Sequence, residues 1–287
     1  MARAKGFFTD TTVCIGCKAC QVACKEWNQD KLPDAFELVH EHPPRLLGTS
    51  YDNTGHLSSV NWRHVKFIEQ FSDDRTQQSR WLMMSDCCKH CINAPCLEVC
   101  PTGALIRTEF DSVYVQKEVC NGCRDCVAAC PFGVISYGEW DGTVHKCTLC
   151  YDRLQVGLQP ACAQACPTQS IQFGDVEELK ERAKKRLEGL HERGVKEAYL
   201  YGQGAGDYGE GNILYDSSRQ KGGLNVFYLL VDRPEVYGLP SSPKIPKKSV
   251  PKSSAFSILS AILVGLAGIF SFRDRRMQAI QREEKTH

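Results

Sequence analysis

Several features that would point a reading elsewhere are missing from this chain. Its 287 residues hold 35 Lys and Arg against 34 Asp and Glu, a formal net charge of +1. Without an excess of positive charge to hold phosphates, nucleic acid is not expected as a partner. The opening Met1–Asp10 has no apolar run before Cys14 that could serve as a secretory signal. The expectation is a cytoplasmic chain, or one exported with a partner that bears the signal. No nucleophile stands beside a base in a catalytic arrangement, which argues against substrate chemistry on this chain alone. The glycine-rich stretch Tyr201–Gly211 lacks the strand–turn–helix context of a nucleotide loop and reads as plain loop.

Cysteine is the opposite case. There are seventeen, and sixteen of them fall into four sets of four between Cys14 and Cys166. The first set is Cys14, Cys17, Cys20 and Cys24, a C-x2-C-x2-C-x3-C run that recurs as Cys120, Cys123, Cys126 and Cys130 before Pro131. Thiols this crowded cannot all meet the geometry of disulfides, whereas the spacing is that of bacterial ferredoxins wrapping an iron–sulfur cube. The second set is read as Cys88, Cys91, Cys96 and Cys100 before Pro101, because starting at Cys87 breaks the C-x2-C opening that every other set shares. Cys87 is then the spare, either a small buried hydrophobe or a bystander thiol. The fourth set is Cys147, Cys150, Cys162 and Cys166 before Pro167, with a longer central gap.

Thiolate-bound iron suits one-electron exchange, and four complete sets predict four 4Fe-4S clusters. No set lacks a cysteine, so nothing calls for a three-iron cluster. A closed thiolate shell leaves no position for a substrate. The rival from a different class is a zinc-stabilised membrane interaction module, since C-x2-C pairs also occur in zinc ribbons.

The segments between sets repeat as well. Thr102–Ile106, Phe132–Ser136 and Thr168–Phe173 each read as a turn feeding a short strand, and Val113–Gln116 and Thr143–His145 as strands just ahead of the next loop. The cysteine-free stretch after Cys24 reads as an ordered insertion, with a turn at Tyr51–Gly55 and a partly buried strand at Val60–Ile68. There Trp62 and His64 are assigned to packing. Asp175–His191 predicts an amphipathic helix with Leu179, Ala183, Leu187 and Leu190 on one stripe, and Leu224–Val231 a buried strand. A proline- and lysine-rich linker, Gly238–Lys252, leads to Ser253–Phe272, twenty residues without a charge. As a helix these span about 30 Å, the thickness of a bilayer's hydrocarbon. Basic residues flank both ends, so their placement does not orient the span.

Three stretches resemble the iron–sulfur β subunit of membrane-bound formate dehydrogenases: Cys14–Asn28, His145–Arg153 and Asp232–Pro240. The cysteine pattern alone marks the wider family of four-cluster subunits serving molybdopterin oxidoreductases. The Cys24-Lys-Glu-Trp-Asn28 stretch and the tail after residue 220 narrow it to formate. The resemblance implies a nested ligand set. Cys14, Cys17 and Cys20 with Cys166 would hold one cluster, and Cys147, Cys150 and Cys162 with Cys24 its neighbour. Cys88, Cys91 and Cys96 would pair with Cys130, and Cys120, Cys123 and Cys126 with Cys100.

The fold expected is α+β, two ferredoxin-like 4Fe-4S subdomains with loop insertions plus a single C-terminal transmembrane helix. The outer half would take residues 1–30 and 140–175, the inner half 86–139, and the insertion 31–85. A helix and strand extension would fill 176–237, the linker 238–252, the membrane helix 253–272 and a basic tail 273–287. The partners implied are a molybdenum or tungsten bis-pterin catalytic subunit and a membrane cytochrome b or quinone-reactive subunit, with 253–272 in the lipid bilayer of a prokaryotic inner membrane. The globular part would lie in the cytoplasm, or in the periplasm by partner-borne twin-arginine export. A hydrogenase, or a thiosulfate- or nitrate-type reductase, is the alternative complex.

Overall fold

The computed structural model describes residues 3–31, 55–71, 79–202, 213–214, 222–246 and 250–284. Most of the expected turn at Tyr51–Gly55, the glycine-rich stretch beyond Gly202 and much of the 31–85 insertion lie outside the described residues. Residues 1–245 form one compact unit and 246–287 a second.

The described strands of the first unit are β1 (Lys5–Asp10), β2 (Arg63–Gln70), β3 (Arg80–Cys87), β4 (Leu105–Arg107), β5 (Val113–Val115), β6 (Ser136–Gly138), β7 (Thr143–His145), β8 (Ile171–Asp175), β9 (Tyr199–Tyr201) and β10 (Val226–Leu230). Four of them make a mixed sheet in the order β8-β1-β10-β9, with β1 and β10 parallel and both outer pairs antiparallel. β1 is absent from the sequence expectations. Its partner lies over two hundred residues away, with Phe7 opposite Val226 and Phe8 opposite Phe227.

Side chains alternate across a strand, and here the alternation separates two cores. Phe7, Val226, Tyr228 and Leu230 face the cysteine-rich core. Phe8, Phe227 and Leu229 face the opposite way, onto Leu179, Ala183 and Leu190 of the helix Val176–Glu192. That helix follows β8 directly, with Glu177 and Glu178 in its first turn where the helix dipole favours acids. Its stripe is the one the sequence predicts, with Leu187 at the partly buried margin. Burying Leu179 or Leu190 contributes roughly 2 kcal/mol each by area.

The other strands form three two-stranded ribbons, β2-β3, β4-β5 and β6-β7. The last two are the predicted short strands, each bridging one closing Cys-Pro and the next cysteine loop. β2-β3 lies almost wholly within the insertion. It lies against the helix Ala19–Trp27, where the Gln21 side-chain oxygen accepts from the Val65 N–H at 3.1 Å. Trp62 and His64 are buried, as expected.

The second unit contains one helix, Val250–Glu284, with Pro251 in its first turn. It begins inside the expected linker and continues through Arg273–Arg276 to Glu284, so the segment read as a basic tail is helical as far as it is described. Glu, Gln, Arg, Met and Ala are good helix formers and carry the helix onward past the apolar stretch. Its described large side chains, including Phe256, Ile262, Leu263, Val264 and Ile269, are exposed. The Ser260 hydroxyl donates to the Phe256 carbonyl at 2.8 Å, satisfying a polar group within the helix.

Candidate metal centres

The four C-x2-C openings share a backbone device. The residue just before the second cysteine has a left-handed φ in every set: Gly16 at 64°, His90 at 42°, Gly122 at 70° and Leu149 at 59°. This curls the loop between the two cysteines of each opening. After the closing Cys-Pro, Gly103, Gly133 and Gln169 share the same backbone region. Their N–H groups donate to the backbone carbonyls of Cys100, Cys130 and Cys166 at 3.4, 3.2 and 3.2 Å, turning the chain towards its next strand.

A short helix then separates the last two cysteines of each set by four residues. Cys20 and Cys24 lie in Ala19–Trp27; Cys96 lies in Pro95–Glu98, Cys126 in Asp125–Ala129 and Cys162 in Ala161–Gln164, each followed four residues later by Cys100, Cys130 and Cys166. Residues four apart share a helix face one turn apart. A single helix can therefore serve two neighbouring groups of thiols.

Charge links thiols of different sets: Cys14 and Cys20 feel Cys166, Cys24 feels Cys150 and Cys162, Cys91 and Cys96 feel Cys130, and Cys126 feels Cys100. Burial pushes the Cys14 thiol up, and charge on Cys20 and Cys166 adds to the rise. Burial also raises Cys20, which feels Cys166 and Cys17. Cys14, Cys17, Cys20 and Cys166 line one cavity together with Ser85 and Ser170. Cys24 is raised well above its ordinary value by burial, with Cys162 and Cys150 adding to it. Cys162 is pushed up to about 12, again chiefly by burial.

Cys91 is raised by burial and then by Cys88, Cys96 and Cys130, and burial pushes Cys96 up to about 12. Cys126 is pushed up to about 11 by burial and by Cys120, Cys123 and Cys100. Cys100 moves the other way. What burial it has acts to raise it, but the Leu105 N–H and the Thr102 hydroxyl outweigh that and lower it. Buried thiols such as Cys24, Cys91, Cys96 and Cys162, raised by burial and by their neighbours, would be poor anions alone, and a cationic iron group among them would reverse the balance. Among the described residues no three His, Cys, Asp or Glu close on one point as ligands of a single ion do. It is the spacing of the sets, C-x2-C openings with Cys-Pro closes, that suits iron–sulfur groups rather than zinc.

Cys87 adds to the rise of both Cys24 and Cys162. It is fully buried at the end of β3, where its thiol lies beside Cys147 and Arg63. The sequence reading missed the charged residues packed among the thiols. Arg63, Lys89 and Lys146 are each 2% exposed or less. Lys89 forms an ion pair with Asp86, which also pairs with Lys66 at 3.0 Å, and the two lysines hold the Asp86 carboxyl well below the usual range against the effect of burial. Lys146 donates to the carbonyls of Val113 and Cys147. Lys89 and Lys146 adjoin Cys88 and Cys147 in sequence, a visible hint, but nothing local marks Arg63. The Arg63 Nε is buried without a hydrogen-bond partner, and an unsatisfied donor so close to the thiols fits an acceptor group held there.

Two 4Fe-4S dicluster domain families match this chain, one over residues 13–104 and one over residues 79–176. The iron–sulfur subunit of the nitrate-inducible formate dehydrogenase of Escherichia coli K12 is 39% identical over 240 residues, covering 82% of this chain and 72% of the relative. The formate dehydrogenase-O iron–sulfur subunit of the same organism is 40% identical over 240 residues, covering 82% and 71%. The B subunit of its anaerobic dimethyl sulfoxide reductase is 34% identical over 178 residues, covering 62% and 76%.

Proposed function

This protein belongs to the family of iron–sulfur subunits of formate dehydrogenases, and on that premise we propose that it is the electron-transfer subunit of such a complex. It carries 4Fe-4S clusters, four in number, and works as one subunit of an oxidoreductase. Electrons released from formate on a molybdenum or tungsten bis-pterin subunit enter here and leave towards a membrane cytochrome b or quinone-reactive subunit. The observation behind formate in particular is the length of the match. The formate dehydrogenase subunits align over 240 residues, against 178 for the dimethyl sulfoxide reductase subunit.

When bound, a 4Fe-4S cluster accepts and returns one electron with little movement around it. The protein's own part is to hold, space and shield these groups. In our reading Cys14, Cys17, Cys20 and Cys166 hold one, and Cys24, Cys147, Cys150 and Cys162 the second. Cys88, Cys91, Cys96 and Cys130 hold the third, and Cys100, Cys120, Cys123 and Cys126 the fourth. The four-residue step from Cys20 to Cys24 keeps the first two within one helical turn, which supports short hops. Residues 1–30 with 140–175 then make the outer half and 86–139 the inner.

The helix Val250–Glu284 is read as a single-pass anchor in a prokaryotic inner membrane. Its segment Ser254–Gln278 has a mean hydropathy of 2.2 and is long and apolar enough to cross. Exposed apolar side chains on every face support the same reading.

Purification of the complex in detergent tests the proposal. The expected result is a large pterin-bearing subunit and a membrane subunit in the preparation, formate-dependent dye reduction, and about sixteen irons per copy of this protein, four for each cube. A colourless preparation with zinc and no acid-labile sulfide would sink it. The second reading, favoured by the match to the B subunit of a dimethyl sulfoxide reductase, keeps the wire and changes the catalytic partner. A complex inert to formate but reducing dimethyl sulfoxide would establish that reading instead.

A further inference from the structure

Arg63 stands first in β2, paired in register with Cys87 at the end of β3, so the ribbon delivers its guanidinium into the core rather than to solvent. Its Nη1 donates to the Ser85 hydroxyl at 3.0 Å, and that hydroxyl lies 3.2 Å from the Cys20 sulfur. Its Nη2 donates to the Cys87 sulfur at 3.2 Å, and the Cys87 thiol lies beside that of Cys147. The guanidinium carbon lies 4.9 Å from the centre of the Phe7 ring, and Nε has no partner. One arm thus reaches the Cys14, Cys17, Cys20 and Cys166 group, and the other the Cys24, Cys147, Cys150 and Cys162 group.

No carboxylate forms an ion pair with Arg63 among the described residues. This separates it from Lys89, whose charge Asp86 offsets. The thiols nearest in charge to Arg63 are Cys162, Cys87, Cys20 and Cys147, drawn from both groups and the spare. An isolated guanidinium in a dry core is costly, and it is tolerated where strong negative charge balances it.

We propose that Arg63 is a fixed cation shared by the two outer clusters, holding both at higher reduction potentials than their thiolates alone would give. The proposal rests on the cluster assignment above. Adding an electron to either cluster places negative charge near the guanidinium, and in a low-dielectric core that attraction favours the reduced form. No proton moves, and no bond forms or breaks. Ser85 and Cys87 are positioning residues that fix the two arms, which gives the seventeenth cysteine a part.

The test is an EPR-monitored redox titration of the purified complex carrying Arg63→Gln or Arg63→Lys, with iron and sulfide counted in each. Arg63→Gln is expected to lower two of the four potentials and leave the other two in place, and Arg63→Lys to restore most of the loss. Unmoved potentials in a fully loaded Arg63→Gln complex would overturn the proposal, as would an equal fall in all four. If Arg63→Gln loses iron, the Lys variant decides. Full loading with both outer potentials near wild type supports a role for the charge, and loss of iron there too assigns Arg63 to shape and hydrogen bonding instead. A wild-type complex without about sixteen irons per copy of this protein would refute the four-cluster assignment itself, which is a separate result.

Discussion

The Trp27 indole N–H donates to the Asp152 carboxylate at 2.9 Å across 125 residues of sequence. Lys31 meets the same carboxylate at 3.0 Å, and the Arg153 guanidinium lies 4.2 Å from the Trp27 ring centre. Trp27 belongs to the Cys-Lys-Glu-Trp-Asn stretch after the first set, and Asp152 and Arg153 to the Tyr-Asp-Arg stretch after Cys150. Two motifs that carry the family resemblance are thus halves of one contact. It ties the helix bearing Cys20 and Cys24 to the loop bearing Cys147 and Cys150.

That contact predicts a graded response at Trp27. Its indole is 41% exposed, so the hydrogen bond and the cation–π contact are each worth only about 1 kcal/mol. Trp27→Phe should lose the hydrogen bond and keep the ring, costing about 1 kcal/mol, and Trp27→Ala about 2 kcal/mol. Thermal melting read at the iron–sulfur absorbance checks this. An Ala variant that melts with the wild type would remove any structural role for the contact.

The cysteine loops predict a split among glycines with similar backbone. A Cβ on Gly122 would stand 2.4 Å from the Gly142 carbonyl oxygen, a backbone atom that cannot turn aside. A Cβ on Gly103 meets nothing within 4 Å. Gly103→Ala should therefore cost only the left-handed strain, about 1 kcal/mol, and Gly122→Ala clearly more, at least about 3 kcal/mol. Iron retained through a urea series measures the difference. Equal midpoints for the two variants would contradict the geometry.

What the sequence made legible followed local rules. Thiol spacing, turn residues after Cys-Pro, and the Leu179–Leu190 stripe all depend on neighbours within a few positions, and each is where the reading put it. β1 was not legible, because Lys5–Asp10 is short and its parallel partner Val226–Leu230 is fixed only by the whole fold. β3 was missed for a similar reason. Arg-Trp-Leu-Met-Met-Ser-Asp-Cys has no clean alternation, and the strand is defined by pairing with β2. Arg63 shows the limit most sharply. In a strand it reads as a solvent-facing charge, and only the register with Cys87 turns it inward.

The choice of Cys88 over Cys87 gives a third prediction. Cys88 feels Lys146 and Cys130, in the group with Cys91 and Cys96, whereas the Cys87 sulfur accepts from Arg63. Cys87→Ser should keep about sixteen irons per copy, while Cys88→Ser should fall towards about twelve or show a changed cluster signal. Iron analysis with EPR of both proteins separates them. Equal loss in the two would shift the register of the second set.

The division of the protein at Ile245 and Pro246 supplies the last prediction. The helix Val250–Glu284 has 35 residues, about 52 Å at the α-helical rise, longer than the roughly 30 Å of hydrocarbon it would need to cross. Its surplus lies beyond Phe272, where Arg273, Arg275 and Arg276 would sit in the headgroup region. If this helix is the anchor, ending the protein after Ile245 should free an iron-loaded product into the soluble fraction of cells that lack the other subunits. Leu263→Arg in the full-length protein puts a charge near the midpoint of the span, which costs about 2.5–3.5 kcal/mol on insertion and should weaken anchoring without touching the clusters. Alkaline carbonate extraction of membranes, with iron counted in both fractions, reads both effects. A truncated protein that stays with the membrane in those cells would mean the first unit binds lipid by another surface.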